Sequence, residues 1–116
     1  MKLLTKAIEN QLPKLYSTDG KNYVPVIVKF FCPWNQWTWY AVEGERQEDG
    51  DWLFFGLVEG HEKELGYFTL NEFKTVRGPA GLGIERDMYF DGYVLDKKAN
   101  KVISARQIPP SPTSAA

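Results

Sequence analysis

The segment Trp34-Asn35-Gln36-Trp37-Thr38-Trp39-Tyr40 puts three indoles and a phenol into seven positions, and it constrains the fold more than any other stretch. Extended chain alternates its side chains, so a strand over residues 36–43 puts Trp37, Trp39 and Ala41 on one face and Thr38, Tyr40 and Val42 on the other. Both faces are aromatic, so both call for cover. Two neighbours in sequence are also strand-like. Residues 24–31 alternate Val24, Val26, Val28 and Phe30 against Ile27 and Phe31, and residues 52–58 return through an acidic stretch whose Asp49-Gly50 step signals a tight turn.

The remaining elements are short. Thr5 is placed to cap a helix carrying Ala7, Ile8 and Leu12, which Pro13 ends because it has no N–H to donate. Leu3, Leu4, Ile8, Leu12 and Leu15 form its expected apolar stripe. A fourth strand is expected over 64–69, followed by one helical turn over 70–73 with Thr69 as its cap. Tyr93-Val94-Leu95 and residues 102–105 suit a terminal hairpin around 97–100. The sum is an α+β fold: a small antiparallel sheet of three to five strands with the N-terminal helix packed on one face. An SH3-like barrel is the alternative. Residues 1–107 are expected to form a single globular domain, and the Pro/Ser-rich tail 108–116 to be disordered.

Composition limits the chemistry. The net charge is −1, so no global cationic field attracts phosphate, and nucleic acid is a disfavoured partner. The single cysteine, Cys32, allows neither an internal disulfide nor a multi-thiolate zinc site. The single histidine, His61, removes any site needing two imidazoles. No metal or cofactor is implied. No apolar run approaches the roughly 20 residues that span a bilayer, and the N-terminus lacks a signal-peptide apolar core. The expected location is cytoplasmic, with no membrane contact.

Three motifs have a bland and a chemical alternative. Asp51 followed by Glu72-Phe73-Lys74 has the residue types of a metal-dependent nuclease, but Glu72 falls in a helical turn rather than a strand. Glu85 and Asp87 share a face with Arg86 opposed, as a salt-bridged surface would also require. The loop 78–83 lacks the order of a phosphate-binding P-loop. Its glycines, flanked by Arg77 and Arg86, suit either an anion-holding rim or a tight turn with positive φ.

The start Met1-Lys2-Leu3-Leu4-Thr5, then Leu12-Pro13, Leu15-Tyr16, residues 28–31, Trp37-Thr38-Trp39-Tyr40, Phe55-Gly56, Gly66-Tyr67-Phe68, Arg77-Gly78-Pro79 and residues 81–87 occur in one order. In that combination the chain resembles a family of small proteins borne mainly on plasmids, conjugative elements and prophages, catalogued as a domain of unknown function. The resemblance covers roughly residues 1 to 90. It implies a mobile-element accessory protein. The single-stranded-DNA endonuclease label that such proteins sometimes carry brings no catalytic motif that maps onto these residues.

Two functions are carried forward. The first is a non-enzymatic binding module that meets a protein partner through whichever aromatic face is left uncovered, that of Trp37 and Trp39 or that of Tyr40, rimmed by Glu45, Glu48 and Asp49. Antagonism of a host DNA-defence system is one role for it. The second is a single-stranded-DNA binder or endonuclease at Arg77, Gly78, Gly81, Gly83 and Arg86. Positive charge gathered around Trp37, Arg77 and Arg86 favours the second.

Overall fold

The computed structural model describes residues 1–110. Of the expected tail, residues 111–116 lie outside the described chain. Helix α1 spans Lys6–Gln11 and α2 spans Leu70–Thr75. Eight strands follow in order: β1 Tyr23–Pro25, β2 Val28–Phe31, β3 Thr38–Arg46, β4 Trp52–Glu59, β5 Lys63–Thr69, β6 Glu85–Arg86, β7 Tyr93–Asp96 and β8 Lys101–Ser104. They form two antiparallel sheets where one was expected: β5-β4-β3-β2-β6, and β1-β7-β8. Sheet outweighs helix, and α+β describes the class broadly.

Pro25 explains the second sheet. The expected strand 24–31 is divided, because Pro25 cannot donate a ladder hydrogen bond. The N–H of Val26 bonds Tyr93 O at 3.0 Å, towards β7, and that of Ile27 bonds Ala41 O at 2.9 Å, towards β3. The chain therefore changes sheet within one peptide step. The apolar alternation survives, but its members part company. Val28 and Phe30 join a core with Phe54, Phe68, Leu70 and Phe73, whereas Val24 and Val26 join Val42, Leu57 and Leu95.

The two cores lie on opposite faces of the five-stranded sheet. In the first, Phe73 of α2 approaches Phe30 and Trp39, with ring centres 4.9 Å apart in each pair. Thr69 caps α2 as expected, its hydroxyl accepting from Glu72 N at 3.2 Å. Thr5 does the same for α1, accepting from Ile8 N at 3.2 Å. Yet α1 has no buried residue of its own. Leu4 before it and Leu12 after it are buried, and Ile8 packs against the cluster only in part. A six-residue helix completes fewer than two turns, too few to present a continuous stripe.

The second core corrects the expectation of an uncovered aromatic face. The segment after Phe90 builds β7 and β8, and Leu95 with Val102 covers the side of the sheet that carries Tyr40, Val42 and Phe55. A β-bulge between Ala41 and Glu43 turns both Val42 and Glu43 to that side. Gly56 lies opposite Ala41, and a Cβ there would run into the Tyr40 carbonyl. Glu43 is buried and held by local donors. Its Oε1 accepts from Tyr16 N at 2.8 Å, and its Oε2 accepts from Thr18 N at 2.9 Å and from the Thr18 hydroxyl. Lys97 Nζ donates to Thr18 O at 2.6 Å, joining the terminal hairpin to the same loop.

Candidate binding groove

A groove of about 890 Å³ lies beside the first core. Five stretches meet there: residues 1–4, Glu9 of α1, the β3–β4 hairpin, α2, and the loop 77–85. Short elements bring them together. The hairpin returns at Gly50, whose φ of +88° suits the turn. Asp51 ties the hairpin to α2 by accepting from Trp52 N at 2.7 Å and Asn71 N at 3.0 Å. The loop closes through Gly78 N–H to Leu82 O at 2.7 Å.

The groove has an apolar floor and a cationic rim. Trp52, Leu70, Phe73 and Ile84 supply buried floor, and Leu82 stands 42% exposed at the edge. Lys2, Arg46, Lys74 and Arg77 supply four cations against two carboxylates, Glu9 and Glu85. Glu9 is already shared between Lys6 at 3.6 Å and Arg46 at 3.9 Å. Among the described residues, Lys2, Lys74 and Arg77 have no carboxylate within ion-pair distance. Arg77 Nη1 donates to the Val76 carbonyl at 2.7 Å, which leaves its other guanidinium N–H groups for a ligand.

The expected site residues are dispersed around this centre. Arg77, Gly81 and Gly83 line the groove. Gly81 has the expected positive φ, +77°, together with Ala80 at +56°. Gly78 and Gly83 do not, so the tight-turn reading fails for them: a Cβ on Gly78 would meet the Trp34 indole, and one on Gly83 would lie 3.3 Å from Arg77 Nη1. These two glycines make room for side chains. Arg86 belongs to a separate hollow with Lys29, Asp87 and Tyr89, where its Nη1 is buried without a hydrogen-bond partner among the described residues.

The aromatic candidates lie elsewhere. Trp37 and Trp39 are half-buried, 5.9 Å apart, against the first core, and His61 stands edge-on to Trp37 at 5.7 Å. Tyr40 faces the opposite side and donates to Glu59 Oε1 at 3.3 Å. Burial first, and the Glu59 charge second, push its phenol up to about 12. Glu45, Glu48 and Asp49 are exposed, but at the far end of β3. Glu45 lies six positions beyond Trp39, roughly 20 Å of strand at about 3.3 Å per residue, so these acids do not rim the indoles. Glu45 Oε1 accepts from Leu15 N at 3.3 Å and Asp49 Oδ1 from Asp51 N at 2.9 Å.

The nuclease-like arrangement does not converge either. Asp51 serves as a cap across the hairpin and α2, and Lys74 lines the groove. Among the described residues, no three His, Cys, Asp or Glu side chains are grouped as metal ligands. Burial raises the Cys32 thiol pKa, opposed in part by a hydrogen bond from Asn35. Lys2 and Arg46 were invisible as site residues in the sequence, because no linear cluster joins positions so far apart, and Lys74 stood out only as the lysine of the nuclease-like arrangement.

Fold and groove together define a small two-sheet α+β protein with a cationic, apolar-floored cleft. The sequence profile of the family described as "Protein of unknown function (DUF2958)" matches residues 2–100, and the chain belongs to that family. The match takes in β7, past the point where the motif resemblance stopped. No curated protein and no solved structure matches the chain. No helix among the described residues is long and apolar enough to cross a membrane.

Proposed function

We propose that this protein is a non-enzymatic binding module that engages a protein partner through the groove between α2, the β3–β4 hairpin and loop 77–85. One observation carries the proposal. A chain of net charge −1 gathers four cations around one apolar-floored groove and leaves three of them without an ion-pair partner among the described residues. Unpaired charge beside apolar surface is how interfaces combine steering with burial. The groove replaces the aromatic face as the contact surface in this reading, because the second sheet covers the Tyr40 face and Trp37 and Trp39 are half-buried against the first core.

The wider setting follows from the family resemblance: a cytoplasmic accessory of a mobile element. Antagonism of a host DNA-defence system fits this setting through the exposed carboxylates Glu45 and Glu48. A second reading, single-stranded-DNA binding at the same groove, is favoured by the gathering of cations around Arg77.

The test is affinity capture from a lysate of the organism that carries the gene. Wild-type protein is expected to retain a partner that a Lys74→Glu/Arg77→Glu variant of equal thermal stability loses. Equal capture by both proteins would refute the groove as the contact surface.

A further inference from the structure

We propose that the groove recognises an acidic peptide segment with aliphatic anchor residues; this rests on the reading of the groove as the binding surface. The class of ligand follows from what the groove offers and what it lacks. Lys2, Arg46, Lys74 and Arg77 call for negative charge. That much suits phosphate and carboxylate alike.

The floor separates the two. Binding of single-stranded nucleic acid draws on aromatic rings whose faces are open to the bases. The groove's aromatic residues are Trp52 and Phe73, exposed by only 9% and 3%. The exposed tyrosines Tyr16, Tyr67, Tyr89 and Tyr93 are not among its walls. Its rings present little open face for a base to stack on. What apolar surface the groove does expose is unringed: Met1 and Leu82, with half-buried Leu3. Gly81 has nothing within 4 Å of where its Cβ would stand, so a peptide backbone can come close beside Leu82. An aliphatic side chain removed from water against such surface contributes at about 25 cal/mol per Å², whereas a base gains little from the edge of a leucine. Carboxylates spaced along an extended segment meet separate cations on the rim, and Arg77 retains guanidinium N–H groups for bidentate contact.

The hollow at Tyr40, Tyr89 and Tyr93 offers rings, but two of its three lysines are spent internally. Lys29 pairs with Asp87 at 3.7 Å and Lys63 with Glu59 at 3.6 Å. Among the described residues Lys101 alone is left over, with three lysines against two carboxylates where the groove has four cations against two.

Fluorescence anisotropy on the full chain tests the proposal with four labelled probes. These are a Glu/Leu peptide of about ten residues, roughly 33 Å when extended, its Glu/Ser and Lys/Leu counterparts, and an oligothymidylate of similar length. The expected order puts Glu/Leu first, Glu/Ser weaker, and Lys/Leu unbound. Lys74→Glu/Arg77→Glu should weaken Glu/Leu binding about tenfold or more, with Lys2→Glu/Arg46→Glu as the second variant should the first melt early. Leu82→Ser should narrow the gap between Glu/Leu and Glu/Ser. If the oligothymidylate binds more tightly than Glu/Leu and the charge reversals abolish it, the groove stands and the peptide assignment falls. If no probe binds, or every probe binds wild type and variants equally, the groove itself falls as the binding surface.

Discussion

Replacing Glu43 tests how the two halves of the molecule are joined. The carboxylate is 1% exposed and faces two backbone N–H groups and one hydroxyl, all from the loop at Tyr16 to Thr18. Hydrogen bonds to an ionised group contribute about 1.5–3 kcal/mol net, and a buried donor left without an acceptor costs about the same. The hydroxyl can rotate to another acceptor; the N–H groups of Tyr16 and Thr18 cannot. Glu43→Ala should therefore cost about 3–6 kcal/mol, a large share of the roughly 5–15 kcal/mol that holds a domain folded. Glu43→Gln preserves shape but turns an NH2 group towards one N–H donor, so about half that loss is expected, roughly 1.5–3 kcal/mol. Urea unfolding followed by tryptophan fluorescence gives both values, with an unchanged m-value showing that the comparison is sound. A Glu43→Ala loss below about 0.5 kcal/mol, the range of ordinary surface substitutions, would refute the buried-acceptor account.

Other expectations are more local. Ultraviolet titration should show one of the six tyrosines ionising near pH 12, and Tyr40→Phe should remove that step. Because folding favours the neutral phenol, its contribution to stability is complete below the ordinary value of 10 and is lost as pH rises through about 12. Native Cys32 should react slowly with a disulfide reagent and quickly in denaturant, since burial disfavours the thiolate; equal rates would contradict its placement. Gly78→Ala should lower stability by about 1–3 kcal/mol and shift the fluorescence of Trp34, because the added methyl meets the indole; a neutral effect would mean the loop does not press on Trp34.

Local chemistry was legible in the sequence. The caps at Thr5 and Thr69, the turn at Asp49-Gly50 and the terminal hairpin all depend on neighbours a few residues apart. What could not be read depends on distant pairing. Alternation from Val24 to Phe30 gave the correct buried residues. It could not reveal that the Val26 and Ile27 N–H groups serve different sheets, since that depends on residues 93 and 41. With the second sheet unseen, the Tyr40 face looked open. The candidate site was half legible for the same reason. Lys74, Arg77, Gly81 and Gly83 lie within ten residues, whereas Arg46 joins them only because Asp51 draws the hairpin onto α2, and Lys2 because residues 1–4 line the same groove.

The central claim is that the cationic groove, rather than the indole pair or the tyrosine hollow, is the surface where this protein meets its partner. Amide chemical-shift mapping with the Glu/Leu peptide tests it residue by residue. Shifts are expected at Lys74, Arg77, Leu82 and Gly83 and at the Trp52 indole N–H, with Trp37, His61, Tyr89 and Tyr93 unmoved. Shifts confined to the Trp37–His61 region or to Tyr89 and Tyr93, with the groove silent, would contradict the account.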